Sequence, residues 1–145
     1  MKVIEEIMQT FPQSCGTHDT LDTAMTKMAS AEKQFLPVVD QDEKLLGMVT
    51  YQDCVNGTQE VPKEDARVVK VMNPITFYVH TYDDEATAFT TMRHNHIGHL
   101  PVVDNDNQFR GMISFMSLAR RIVKLKNDLK RVDYKFKKKK LKYSL

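Results

Sequence analysis

A chain of 145 residues, 41% hydrophobic and 28% charged, holds enough apolar material for a compact fold without disulfides or structural metal, and its composition excludes fibrous and disordered classes. The net charge of +2 is unevenly spread: residues 120–145 carry 12 Lys or Arg against two Asp, a net +10, while residues 1–119 carry nine against 17 Asp or Glu, a net −8. No apolar run approaches the ~20 residues of a membrane span, and the acidic start MKVIEEIMQT lacks the apolar stretch of a secretory leader. A cytoplasmic protein without a transmembrane segment is therefore expected. Cys15 and Cys54 show no metal-ligand spacing, and with nine methionines they suit a reducing compartment.

Shifting the sequence by 64 residues aligns it with itself without a gap. Met8 meets Met72, Thr17 meets Thr81, Asp19 meets Asp83, and Thr23-Ala24 meets Thr87-Ala88. Met28 meets Met92, the run Leu36-Pro37-Val38-Val39-Asp40 meets Leu100-Pro101-Val102-Val103-Asp104 identically, and Gly47-Met48 meets Gly111-Met112. Each copy opens on a short extended piece, residues 13–15 or 76–79. A helix follows. Leu21, Ala24, Met25 and Met28 form one apolar face at i, i+3, i+4 and i+7; in the second copy Ala88, Phe89 and Met92 do the same, with Glu85 in the leucine slot. Strands at residues 35–39 and 99–103 lead through polar turns to strands at residues 45–49 and 109–113. A second helix begins at Thr50 or Ser114.

The boundaries read from this are residues 1–57 for the first repeat, 58–66 for a polar linker, 67–123 for the second repeat and 124–145 for a basic helix and tail. The fold class is α+β: two β-α-β-β-α units of about 50 residues, each with too little core to be stable alone, packed with pseudo-twofold symmetry and followed by an extended C-terminal helix. In that helix Leu118, Ile122, Leu125, Leu129, Val132 and Phe136 step by 4, 3, 4, 3 and 4, a heptad stripe predicted to run to residue 136. The stripe folds back on its own body or pairs with a second copy, and its regularity favours a homodimer. Lys137–140 with Lys142 form a basic end. Sparse aromatics and no nucleic-acid-binding motif make it a solvated tail, or one leaning on the acidic body, ahead of a nucleic-acid or membrane contact.

The motifs MNPITFYV, HIGHLPVVD, GMVTYQD and GMISFMS resemble a tandem pair of CBS domains, a Bateman module, over about residues 2–123. The resemblance implies a regulatory module, not an enzyme, that binds an adenosine-type small molecule in the cleft between repeats. AMP, ADP, ATP or S-adenosylmethionine would be the regulatory ligand, no cofactor would be required, and a protein partner would read the change. It assigns the ribose and phosphate to Thr50 and Asp53. A threonine hydroxyl at a strand-to-helix junction adds a donor to free backbone N–H groups, and a carboxylate one turn in accepts from two ribose hydroxyls. Thr-x-x-Asp is also close to an ordinary helix capping box, and the two roles are compatible. In the second copy Ser114 keeps the hydroxyl but Ser117 replaces the aspartate; losing a hydrogen bond to a charged group costs about 1.5–3 kcal/mol, so the first site is expected to bind better.

The resemblance sets the adenine against Ser14, Cys15 and Gly16 or Phe77, Tyr78 and Val79, with Leu36-Pro37 and Leu100-Pro101 as the other wall; for the leucines and valines core packing is the competing reading. His99 falls where the family often places a basic residue near the phosphate. His94, His96 and His99 lie close in sequence, but on a strand the first two face away from the third and no Cys is nearby, so no metal site is expected. The chain also lacks a phosphate loop and a nucleophile elbow, which argues against catalysis. The competing function is a ligand-free scaffold acting through its basic helix on nucleic acid, membrane or an acidic partner.

Overall fold

The computed structural model describes residues 2–11 and 13–143, of which residues 133–143 are described as backbone alone. The first repeat contains α1 (Ile4–Ile7), β1 (Cys15–Gly16), α2 (Leu21–Ala31), β2 (Phe35–Val39), β3 (Leu45–Thr50) and α3 (Tyr51–Gly57). The second contains β4 (Asn73–Pro74), β5 (Val79–His80), α4 (Glu85–Asn95), β6 (His99–Val103), β7 (Phe109–Ser114) and α5 (Phe115–Tyr143). The predicted hairpin strands and helices fall within a residue or two of these limits. The α1 turn had no counterpart in the expectation, and α5 runs past residue 136 to Tyr143. Its last turns are rich in Lys and free of Gly and Pro, a composition that continues a helix.

Local chemistry fixes the elements in matched pairs. Thr20 caps α2 by accepting from the Thr23 N–H at 3.2 Å, and Asp84 caps α4 from the Thr87 N–H at 2.8 Å. Both helices end on a left-handed residue, Glu32 and His96, each at φ 54°. Both hairpins turn on an aspartate: Asp40 Oδ1 accepts from the N–H groups of Asp42 and Lys44, and Asp104 Oδ1 from those of Asp106 and Gln108. Each helix pair and hairpin encloses a core: Leu21, Ala24, Met28, Leu36, Val38 and Val49 in one, Val79, Ala88, Met92, Leu100, Val102 and Ile113 in the other.

The repeats exchange their leading segments. One sheet has the order β1-β2-β3-β4, so the first repeat's hairpin is completed by Asn73–Pro74, which pairs antiparallel with Gly47 and Met48. The other sheet, β5-β6-β7, is completed in the same sense by Gln9, which exchanges two 2.8 Å backbone hydrogen bonds with Met112. Glycine is required at both crossings. A Cβ on Gly47 would lie 2.6 Å from the Asn73 carbonyl oxygen, and one on Gly111 2.6 Å from that of Gln9. On the pseudo-twofold axis itself Lys44 bridges to Gln108, its own counterpart 64 residues on, and Phe35 packs on His99, its counterpart, with ring centroids 5.1 Å apart.

Candidate functional site: the cleft on the repeat axis

Thr50 ends β3 and caps α3. Its Oγ1 accepts from the Asp53 N–H at 3.0 Å, and Asp53 Oδ2 accepts in return from the Thr50 N–H at 3.0 Å, a complete capping box. A third member comes from the exchanged segment: Asn73 Nδ2 donates to Asp53 Oδ2 at 2.9 Å. Among the described residues Asp53 Oδ1 takes part in no hydrogen bond, so the carboxylate is anchored through one oxygen and half-buried. With only seven residues, α3 adds little dipole field beyond its first N–H groups.

The second repeat has half of this arrangement. Ser114 Oγ accepts from the Ser117 N–H at 3.2 Å, and among the described residues Ser117 returns no bond. Gln9 takes the place of Asn73 there.

Two cavities flank the Phe35–His99 contact. One, of about 220 Å³, is lined by Phe35, Met48 and Thr50 from the first repeat and His99, Pro101 and Met112 from the second. The other, of about 110 Å³, is lined by Phe11, Lys33, Phe35, His99, Ser114 and Ser117, with Ile7, Gln9, Met112 and Ile113 behind them. Lys33 stands over the Phe11 ring with its Nζ 5.1 Å from the centroid. His99 and Lys33 are therefore the basic groups beside the two serines.

The tandem pair that these motifs resemble is also what a family model finds: a CBS domain at residues 4–58 and another at residues 68–124. The chain belongs to the CBS-domain family. A curated relative, an inosine-5'-monophosphate dehydrogenase of Methanocaldococcus jannaschii, is 27% identical over 119 residues, which make up 82% of this chain and 22% of that protein. The chain thus spans about a quarter of the length of the first curated relatives it matches, 22% and 29% of them. Among solved structures, CBSX2 of Arabidopsis thaliana in complex with AMP superposes with a TM-score of 0.69 at 22% identity, over 87% of this chain and 99% of that one. A CBS domain pair solved with 5'-methylthioadenosine and S-adenosyl-L-methionine gives 0.68 at 19% identity, over 83% and 95%. At these identities the likeness is one of fold.

Within this CBS pair the other expected site residues are dispersed. Ser14, Cys15 and Gly16 sit at or beside β1, across the sheet from the β4 edge that meets Asp53. The Ser14 carbonyl accepts from Lys27 Nζ at 2.9 Å, and the Gly16 N–H donates to Asp19. Cys15 is buried in the first core, and burial pushes its thiol up to about 11, as it does that of Cys54. Leu36, Leu100 and Val79 are core residues, and Pro37 is buried with them. Phe77 and Tyr78 are exposed; Tyr78 lines a separate cavity at the hairpin-turn end of the axis with Asp40, Lys44 and Asn107. Pro101 and His99 do line the cleft. Sequence reasoning did not find Asn73, Phe11, Lys33, Phe35, Met48 and Met112. For Phe35 and Met48 the signal was the 64-residue shift, which makes them the counterparts of His99 and Met112; Phe11 and Lys33, opposite Ile75 and Ile97, had none.

Among the described residues no group of His, Cys, Asp and Glu is arranged to hold a metal ion, and no helix is long and apolar enough to cross a membrane.

Proposed function

We propose that this CBS pair is a regulatory, non-catalytic module of the cytoplasm that binds one adenosine-containing ligand, AMP, ADP, ATP or S-adenosylmethionine, with the ribose on Asp53. The observation that carries this reading is the anchored carboxylate. Thr50 N–H and Asn73 hold one oxygen of Asp53 still, one turn from a cavity that both repeats line, and leave the other oxygen for a ribose hydroxyl pair. The AMP and S-adenosylmethionine complexes of proteins with this fold support the ligand class. Phosphate groups, or the carboxylate of S-adenosylmethionine, would face the axis, where His99 stands and Lys33 follows. Either cavity alone is smaller than the ~300 Å³ usual for a ligand site, so binding is expected to part the Phe35–His99 contact. That motion links the two repeats and is what a protein partner would read.

Native mass spectrometry against the four ligands tests the reading. One ligand per chain is expected, with a gain of about 2.7 kcal/mol in stability at a hundred times Kd. Absence of both binding and a melting shift at millimolar ligand overturns it.

A further inference from the structure

Beyond Ile122 the heptad stripe of α5 leaves the body. Leu118 is fully buried and Ile122 half-buried, but Leu125 is 40% and Leu129 69% exposed, and Val132 is exposed too. The helix itself is 29 residues long. An apolar seam confined to alternating steps of three and four is narrower than the broad face by which a helix lies on a globular body or a lipid surface, and matches the seam between two helices.

Charge decides the orientation. Parallel pairing of two copies faces the residue before each core position on one helix with the residue after a core position on the other, which sets Asp128 against Asp133 and runs two lysine-rich ends side by side. Antiparallel pairing over the stripe from Leu125 to Phe136 is centred between residues 130 and 131. It faces Asp128 of each copy with Lys135 of the other and Lys126 with Asp133, so opposite charges meet along the seam.

We infer that α5 is an antiparallel homodimerisation helix, in which Leu125, Leu129 and Val132 of two copies form the seam and Asp128 of each faces Lys135 of the other. The inference is independent of any ligand in the cleft. Sedimentation equilibrium of the full chain is expected to give twice the 16.8 kDa of one copy, and Leu125→Glu/Leu129→Glu to give the single mass with an unchanged circular dichroism melting profile of the body. Because Cys15 and Cys54 are buried, spin labels can be placed on Lys124→Cys or Arg131→Cys, exposed positions one heptad apart. An antiparallel pair separates the two 124 labels by about 20 Å along the axis while keeping the 131 labels level; a parallel pair gives equal distances. A monomeric wild-type chain, a dimer that survives the double substitution, or equal distances at 124 and 131 each overturns the inference, as does a monomer recruited to anionic vesicles, which would make the helix a membrane-surface element.

Discussion

The two repeats share a backbone plan and differ in two places. The first closes its α2–α3 contact with Leu21 against Gly57, where a Cβ would lie 2.9 Å from Leu21 and 2.8 Å from Val71. The second has Glu85 and Arg121 at the same two positions, and Glu85 is only 1% exposed. A leucine and a glycine permit close apposition and a short helix; a carboxylate and a guanidinium demand a bond and let the helix continue. The second difference is at the cleft, where Asp53 completes a capping box and Ser117 does not. Symmetry of backbone does not enforce symmetry of chemistry, because the exchanged segments and axis contacts hold the frame while individual side chains diverge.

Breaking the second repeat's ion pair is the largest expected effect. Arg121→Ala leaves Glu85 buried without its partner, and a loss of about 3 kcal/mol is expected in urea denaturation. Glu85→Leu/Arg121→Ala, which moves the second repeat toward the first, should recover most of that loss; no recovery would mean that the pair does more than fill the position. At the cleft, Asp53→Ala is expected to weaken adenine-nucleotide binding about 10- to 150-fold and Ser117→Ala to leave it nearly unchanged in calorimetric titration, whereas the reverse order makes the serine side the true site. The frame is tested by Gly47→Ala and Gly111→Ala. Each should cost about 1–3 kcal/mol and the two should cost alike, since the same carbonyl contact is violated in both.

The smallest effect expected is in acid. The Arg121 hydrogen bond, opposed by burial, holds the Glu85 carboxyl below its ordinary value of 4.5. A depressed carboxyl adds stability that is complete above that ordinary value and is lost as pH falls through the lower folded value. Melting temperature followed from about pH 6 to pH 3 should fall more steeply for the wild type than for Glu85→Leu/Arg121→Ala.

Much of the fold was legible because it rests on local signals repeated at one spacing. The apolar face of Leu21, Ala24 and Met28, the LPVVD strands and the Asp40 and Asp104 turns are each written within a few residues. The strand exchange was not legible, since pairing of Gln9 with Met112 spans a hundred residues and leaves no periodicity; glycines 47 and 111 were its trace. At the candidate site the Thr50–Asp53 capping box was legible, since the two are one helical turn apart, while the place of Pro101 and His99 beside the cavity is a matter of the fold. Sequence reasoning failed for Asn73, which reaches Asp53 only through the exchanged segment. It failed also for the placement of Ser14 to Gly16, whose strand lies at the far edge of its sheet. Glu85 stood out as a charge in a leucine slot, but its partner 36 residues away needed the fold.

The exchange of leading segments has a consequence for descent. A single repeat with its own leading segment folded back could not imitate this sheet, because the segment runs outward to the neighbour; two separate copies of one repeat, each lending that segment to the other, could. The axis contacts Lys44 with Gln108 and Phe35 with His99 are what remains where such a pair would have touched itself. The molecule has the form of a domain-swapped dimer whose two subunits were joined by a linker. Joining them freed each half to change alone, which is how one cleft can keep an aspartate while the other carries a serine.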